Sequence, residues 1–139
     1  MFTFQTEDDR MIQLVQNVSK SHEISAEELQ FLLACRAKGK AEFLLIDIRE
    51  ITEYSALCIK GTDVLLPTST IHLAMDELTK RKNSLIILYC YSSSRTFQMV
   101  HILKRMGFTK IAHLDGGIME YRGEKLKNAP LPPNITCKG

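Results

Sequence analysis

The sequence predicts an α/β domain built on a mostly parallel sheet, and three observations point there. The runs Phe43-Leu44-Leu45-Ile46-Asp47 and Leu85-Ile86-Ile87-Leu88-Tyr89-Cys90 are short and continuously apolar, as strands buried on both faces are. Between such runs lie stretches whose apolar residues recur at helical spacing. Strands and helices therefore alternate, the pattern of parallel strands joined by helical crossovers.

Each element has its own signal. Thr6-Glu7-Asp8-Asp9 reads as a capped helix start, and Met11, Leu14, Val15 and Val18 follow at i, i+3, i+4 and i+7. An amphipathic helix over residues 7–19 results, and its stripe must cover either the main domain or a second subunit. Ser25-Ala26-Glu27-Glu28 is a capping box; Leu29, Leu32 and Leu33 continue one face of a helix that stops before Gly39. The strand at 43–47 follows. Val64-Leu65-Leu66 is a shorter strand, ended by Pro67. Residues 71–81 place Ile71, Met75 and Leu78 on one helical face. After the strand that ends in Cys90, residues 95–106 do the same with Met99, Leu103 and Met106, widened by Phe97 and Val100. Ile111-Ala112-His113-Leu114 is a further strand, and Gly116-Gly117 permits a tight turn into a last helix. Pro130, Pro132 and Pro133 keep the tail extended. The division expected is a helical extension at 1–21, the main domain at 22–125 and a tail at 126–139.

Composition narrows the function. Eighteen basic and sixteen acidic residues leave a net charge of +2, so no concentrated basic excess argues for nucleic acid as a partner. Hydrophobic residues at 45% and charged residues at 24% exclude a mostly disordered chain. No apolar run approaches the ~18 residues of a membrane span. The acidic start, with Glu7, Asp8 and Asp9, is unlike an export signal. Cytoplasmic, reduced thiols are therefore the expectation for Cys35, Cys58, Cys90 and Cys137, which show neither Cys-x-x-Cys nor zinc-finger spacing. His22, His72, His101 and His113 show no ligand spacing either, and no metal or cofactor is called for. Asn134-Ile135-Thr136 matches a glycosylation sequon, which carries no meaning without export.

One segment carries chemistry. Cys90 ends a strand, and Tyr91-Ser92-Ser93-Ser94-Arg95 leads into a helix. In open α/β sheets, sites form at the carboxyl ends of strands. The amides of such a loop and of the first helical turn have no intrahelical partners and can ring an anion. The helix dipole and Arg95 favour negative charge at the same place. These surroundings favour thiolate over thiol, making Cys90 a nucleophile that needs no general-base histidine. The cation at a helix start opposes the dipole, so Arg95 wants a reason: it binds an anion or pairs with a carboxylate that braces the loop. Ser92, Ser93 and Ser94 are turn formers first and hydroxyl donors second, and Ser94 is placed to cap the helix.

These residues resemble the rhodanese-like sulfurtransferases over about residues 22–125. The matching stretches are Ile24-Ser25-Ala26-Glu27-Glu28-Leu29, Leu45-Ile46-Asp47-Ile48-Arg49 with Glu53-Tyr54, Tyr89-Cys90 through Arg95, and Gly107-Phe108 with Leu114-Asp115-Gly116-Gly117-Ile118. The resemblance implies a five-stranded, mostly parallel sheet with helices on both faces, here with an extra N-terminal helix. It implies that Cys90 accepts a sulfane sulfur as a persulfide, cradled by the loop amides from Tyr91 to Arg95. Four residues, Tyr91 to Ser94, separate Cys90 from Arg95. Related cysteine phosphatases have one more, to fit a larger phosphoryl group, so phosphatase or arsenate reductase activity is the lesser alternative.

Departures from the family pattern bear on the activity. Ser93 stands where the loop often has Gly, Cys58 where a His is common, and Tyr121 where Trp is common. With Arg95 as the loop's one cation, a protein or low-molecular-weight persulfide is expected ahead of thiosulfate as donor, with a thiol as acceptor. Asp47 and Arg49 look like a structural ion pair in the family; Asp47, at a strand's carboxyl end, also borders the expected pocket. Cys58 is either a small core filler or a resolving thiol. Cys35 and Cys137 are bystanders. A non-catalytic interaction module is the rival class, and a homodimer through the N-terminal helix is the expected form if that helix is not spent on its own domain.

Overall fold

The computed structural model describes residues 6–132, so Pro133, the Asn134-Ile135-Thr136 sequon and Cys137 lie outside the described residues. The chain runs α1 (Glu7–Ser21), β1 (Glu23–Ile24), α2 (Ala26–Ala37), β2 (Leu44–Asp47), α3 (Ile51–Ala56), β3 (Cys58–Ile59) and β4 (Val64–Leu65). A 3-10 turn, Ile71–Ala74, then enters α4 (Met75–Thr79), followed by β5 (Ile86–Tyr89), α5 (Ser94–Arg105), β6 (Ile111–Leu114), α6 (Gly117–Glu120) and β7 (Lys125–Leu126).

Five strands form one sheet in the order β1-β6-β5-β2-β4, and every neighbouring pair is parallel. The central strand is β5. From β2 the chain moves outward to β4, and from β5 it moves the other way to β6. The crevice between the carboxyl ends of β2 and β5 is thus the topological switch point, where open α/β sheets place their sites. Asp47 and Tyr89 are register partners there, immediately before the site loops.

Alternation along the strands divides the core. Leu45, Ile87 and Tyr89 pack against Leu14 and Val18 of α1 and Leu29 and Leu32 of α2. Ile46, Ile86, Leu88 and Cys90 face the other way, against Leu78 of α4 and Val100 and Leu103 of α5. Helices therefore cover both faces, and the buried strands carry no polar alternation because neither face meets water.

The apolar stripe of α1 is spent on the chain's own sheet: Leu14 and Val18 are buried, with Met11 and Val15 packed beside them. Its start is capped by the Thr6 side chain, which accepts from the Asp9 N–H at 3.0 Å. It ends at His22, whose left-handed backbone (φ 62°) directs its N–H to the Val18 carbonyl. In α2 both arms of the capping box form: Glu28 N–H donates to Ser25 Oγ at 3.1 Å, and Ser25 N–H donates to Glu28 Oε1 at 2.9 Å.

The structure differs from the sequence expectation in places with a common cause. The helix expected over 71–81 is a 3-10 turn followed by a short α4, and neither start has a side-chain cap. β1, β3 and β7 have two residues each, too few to show a period. β7 pairs antiparallel with β3 across the boundary expected at 125/126, and Asn128 N–H donates to the Ser55 carbonyl, so the tail begins docked on the domain. No helix among the described residues is long and apolar enough to cross a membrane.

Candidate active site

The last residue of the β5 run, Cys90, sits at the switch point. Its carbonyl accepts from the Ile118 N–H of α6 at 3.0 Å, and the next carbonyl, of Tyr91, accepts from Met119 at 3.0 Å. The loop is thereby fastened to the amino end of α6. That approach requires glycine at 117: the residue has φ 62°, and a Cβ there would collide with the Tyr91 and Cys90 carbonyl oxygens.

Around the sulfur the loop curls inward. Ser93 N–H donates to Cys90 Sγ at 3.2 Å. To achieve this Ser93 adopts φ 100°, a left-handed conformation that costs a side-chain-bearing residue of the order of 1–3 kcal/mol. This is the position where the resemblance leads one to expect glycine, and serine adopts the glycine geometry. Thr96 Oγ1, from the first turn of α5, stands 3.7 Å from Sγ and donates to the Ser93 carbonyl at 3.0 Å. The helix begins at Ser94 with Ser93 as its N-cap, and no side chain caps it. The capping role expected of Ser94 is therefore not what the residue does: the left-handed turn at Ser93 leaves the helix N-terminus facing the sulfur, and Ser94 is exposed on the outside.

Cys90 is 0% exposed, so its sulfur is sealed from solvent. Tyr91 and Ser92 are exposed, with Ser93 half-buried. The Arg95 guanidinium pairs with a carboxylate. Its two terminal nitrogens each lie 3.0 Å from a carboxylate oxygen of Glu53 in α3. Of the two roles open to Arg95, its contacts are those of the brace. The Arg95 hydrogen bonds, working against partial burial, hold the Glu53 carboxyl below its ordinary range.

The other expected site residues sit further back. Arg49 grips Asp47 through Nε and Nη2 at 2.8–3.2 Å, its amide donates to Asp47 Oδ1 at 2.9 Å, and Nη2 also reaches the Leu57 carbonyl at 2.6 Å. Both are buried, and the guanidinium carbon lies 5.6 Å from the centre of the Tyr89 ring. The pair locks β2 to Leu57, in the connection that follows the Glu53-bearing helix α3. Cys58 is buried beside Tyr54 and Leu65, in an apolar cluster separate from the one that holds Cys90. Burial, reinforced by Cys58, holds the Tyr54 phenol well above its ordinary value. Cys35 is a buried residue of α2.

Three contributors were not singled out from sequence. Glu53 appeared only as part of a matching stretch; its role needs the α3 contact. Thr96 lies six residues after Cys90, and only the curl of the loop brings it back. His113 was set aside for want of ligand spacing, yet its Nδ1 lies 3.4 Å from Thr96 Oγ1 and its Nε2 3.6 Å from Glu23 Oε1.

Comparisons with known proteins agree with this architecture. A family model described as "Rhodanese-like domain" matches residues 25–124. A curated protein named "Sulfurtransferase" from Allochromatium vinosum is 30% identical over 100 residues, covering 72% of this chain and 87% of that protein. A "tRNA uridine(34) hydroxylase" from Hamiltonella defensa is 32% identical over 93 residues, 63% of this chain but 26% of the hydroxylase, so the chain spans about a quarter of that relative. Among solved structures, a thiosulfate sulfurtransferase from Pseudomonas aeruginosa aligns with a TM-score of 0.65 at 22% identity, covering 91% of this chain and 24% of that one. A rhodanese-related protein from Thermoplasma volcanium aligns at 0.60 with 18% identity, covering 76% and 97%. At these identities the two structures speak for the fold, and the family match with the sulfurtransferase relative speaks for kinship: this chain belongs to the rhodanese-like domain family.

Proposed function

We propose that the protein is a sulfurtransferase that carries sulfane sulfur on Cys90. The observation that bears most weight is the Ser93 amide aimed at Cys90 Sγ from a four-residue loop at the helix N-terminus. An N–H donor and a helix dipole directed at one sulfur stabilise negative charge there. In the first half-reaction the Cys90 thiolate attacks the outer sulfur of a donor R–S–SH. The donor S–S bond breaks, R–S⁻ leaves, and Cys90 holds a persulfide. In the second, an acceptor thiolate takes that sulfur and Cys90 returns as a thiolate, a ping-pong cycle without cofactor.

Because Cys90 is sealed, the loop opens when the donor enters, and Tyr91, Ser92, Ser93 and Ser94 are its first contacts. Arg95 is engaged by Glu53, which leaves little free positive charge for the thiosulfate dianion. A low-molecular-weight or protein persulfide is the donor this site favours, with a thiol as acceptor. Cys35, Cys58 and Cys90 are free thiols, which suits a reducing compartment such as the cytoplasm.

Mass spectrometry after exposure to a persulfide donor tests the proposal. Native protein gains about 32 Da, one sulfur atom, on Cys90, and Cys90→Ser gains none there. Absence of the label with every donor, thiosulfate included, overturns it. The sealed sulfur and the committed Arg95 favour one second reading, a non-catalytic interaction module, and that unlabelled result is its signature. Hydrolysis of para-nitrophenyl phosphate dependent on Cys90 would instead identify a phosphatase. With the α1 stripe packed on its own sheet, a dimer through α1 would rely on the outward side that carries exposed Ile12; light scattering decides that point.

A further inference from the structure

Behind the sulfur runs a chain of polar groups that the transfer scheme above leaves unused. From Cys90 Sγ it is 3.7 Å to Thr96 Oγ1, then 3.4 Å from that hydroxyl to His113 Nδ1, and 3.6 Å from His113 Nε2 to Glu23 Oε1. The four residues come from the end of β5, the first turn of α5, β6 and β1. Cys90, Thr96 and His113 are all buried, at 0%, 0% and 4% exposure. The chain thus starts at a sealed sulfur and emerges at Glu23, which is exposed.

We propose that His113 is a positioning residue for Cys90, drawing the thiol proton away through the Thr96 hydroxyl while Glu23 fixes its tautomer. The inference rests on the reading of Cys90 as the sulfur carrier. The Glu23 carboxylate beside Nε2 favours a hydrogen on that nitrogen, which leaves Nδ1 with a free lone pair toward Thr96. The Cys90 S–H bond breaks and its proton passes to Thr96 Oγ1. The hydroxyl proton passes at the same time to His113 Nδ1. The products are a thiolate and an imidazolium, with no redox change. The Thr96 hydroxyl has one hydrogen, and it turns between the Ser93 carbonyl and Nδ1.

The surroundings of His113 suit a proton acceptor. Glu23 from β1 and Asp115 beyond β6 favour the charged ring; His101 from α5 opposes it. His22 and Lys104 line the same cavity of about 80 Å³, and Phe97 stands edge-on to the ring with centroids 6.0 Å apart. Burial, the largest influence, holds the imidazole below its ordinary value, so the ring is neutral before the transfer, and Glu23 and Asp115 are what steady the charge it then takes up. A route through the interior also resolves a difficulty of the closed loop. A sulfur with no exposure cannot hand its proton directly to water, whereas this chain leads the proton through the interior to exposed Glu23.

The test measures thiolate directly and needs neither donor nor access. The ultraviolet thiolate absorbance of the full chain, less that of Cys90→Ser, is titrated from about pH 5 to about pH 9. Native protein shows two linked steps, as a coupled pair does. In His113→Asn, which keeps a polar partner for Thr96 but cannot take up a proton, one step remains and the thiolate fraction at neutral pH falls about tenfold. Thr96→Val shows the same loss, and Thr96→Ser, which restores the hydroxyl, recovers it. An unchanged titration in His113→Asn, or a loss there that Thr96→Val does not share, overturns the relay. A shifted titration without any sulfur label keeps the relay and removes the sulfurtransferase reading; a label with an unshifted titration does the reverse.

Discussion

Arg95 and Glu53 face each other squarely, each terminal nitrogen of the guanidinium 3.0 Å from one carboxylate oxygen. The pair ties the first turn of α5 to α3, so the loop that curls around Cys90 is closed by a contact from another element. Both side chains are about one-third exposed, at 35% and 32%, which limits the energy. Glu53→Gln and Arg95→Ala should each lower stability by about 0.5–1 kcal/mol, and the double variant by less than their sum. Urea midpoints measure all three. The depressed Glu53 carboxyl sets the sign of the acid response: the contribution is present above the ordinary carboxylate range and is lost as pH falls through the lower folded value. Glu53→Gln should remove that part of the acid sensitivity.

Ser93→Gly should stabilise the protein or leave it unchanged. Relief of the left-handed strain at φ 100° is worth about 1–2 kcal/mol, and the greater freedom of unfolded glycine takes back about 0.5–1 kcal/mol. Ser93→Val meets the same backbone with a β-branched side chain and should lower the thermal midpoint. A Val variant as stable as the native protein would show that the turn is not held at this φ.

Gly117→Ala should be costly out of proportion to one methyl group. Its Cβ meets the Tyr91 and Cys90 carbonyls, and the φ of 62° is itself unfavourable for alanine. A loss of more than about 1 kcal/mol is expected. Cys90 should also become accessible to thiol reagents, since the α6 amides can no longer hold the loop. Gly39 makes the control: it too has positive φ, but no atom lies within 4 Å of the added carbon, so its alanine variant reports strain alone.

Buried His113 should make folding sensitive to mild acid. Its folded value lies below the ordinary imidazole value of about 6.5, chiefly through burial. Below about pH 6.5 the unfolded chain takes up a proton that the folded one resists, so stability falls with pH in that window and is recovered on the alkaline side. The urea midpoint should decline from pH 7 to about pH 5 less steeply in His113→Asn than in the native protein.

Much of this fold was legible because its sheet is parallel and covered on both faces. The runs that form β2, β5 and β6 are uninterrupted apolar stretches, and α1, α2 and α5 carry clear stripes or caps. Elements of two residues had no period to show, and α4 lacked the cap that would have marked it. In the site, Cys90 stood out through its place between a strand and a helix. The partners did not, since contact between Arg95 and Glu53 spans 42 residues and that between Thr96 and His113 spans 17. Such pairings arise from strand order and from the curl at Ser93, which no local pattern encodes. The shut state of the sulfur was equally hidden, because it depends on how the chain packs around Cys90 once α6 pins the loop.

The brevity of the outermost strands has a colloidal consequence. β1 and β4, which bound the sheet, have two residues each. A foreign extended chain would find a template only a couple of peptide units long, too little to nucleate edge-to-edge growth. A largely apolar sheet interior, a hazard when flanked by long open margins, is here enclosed between stubs, one of which carries the exposed charge of Glu23, and the folded protein should remain dispersed at high concentration.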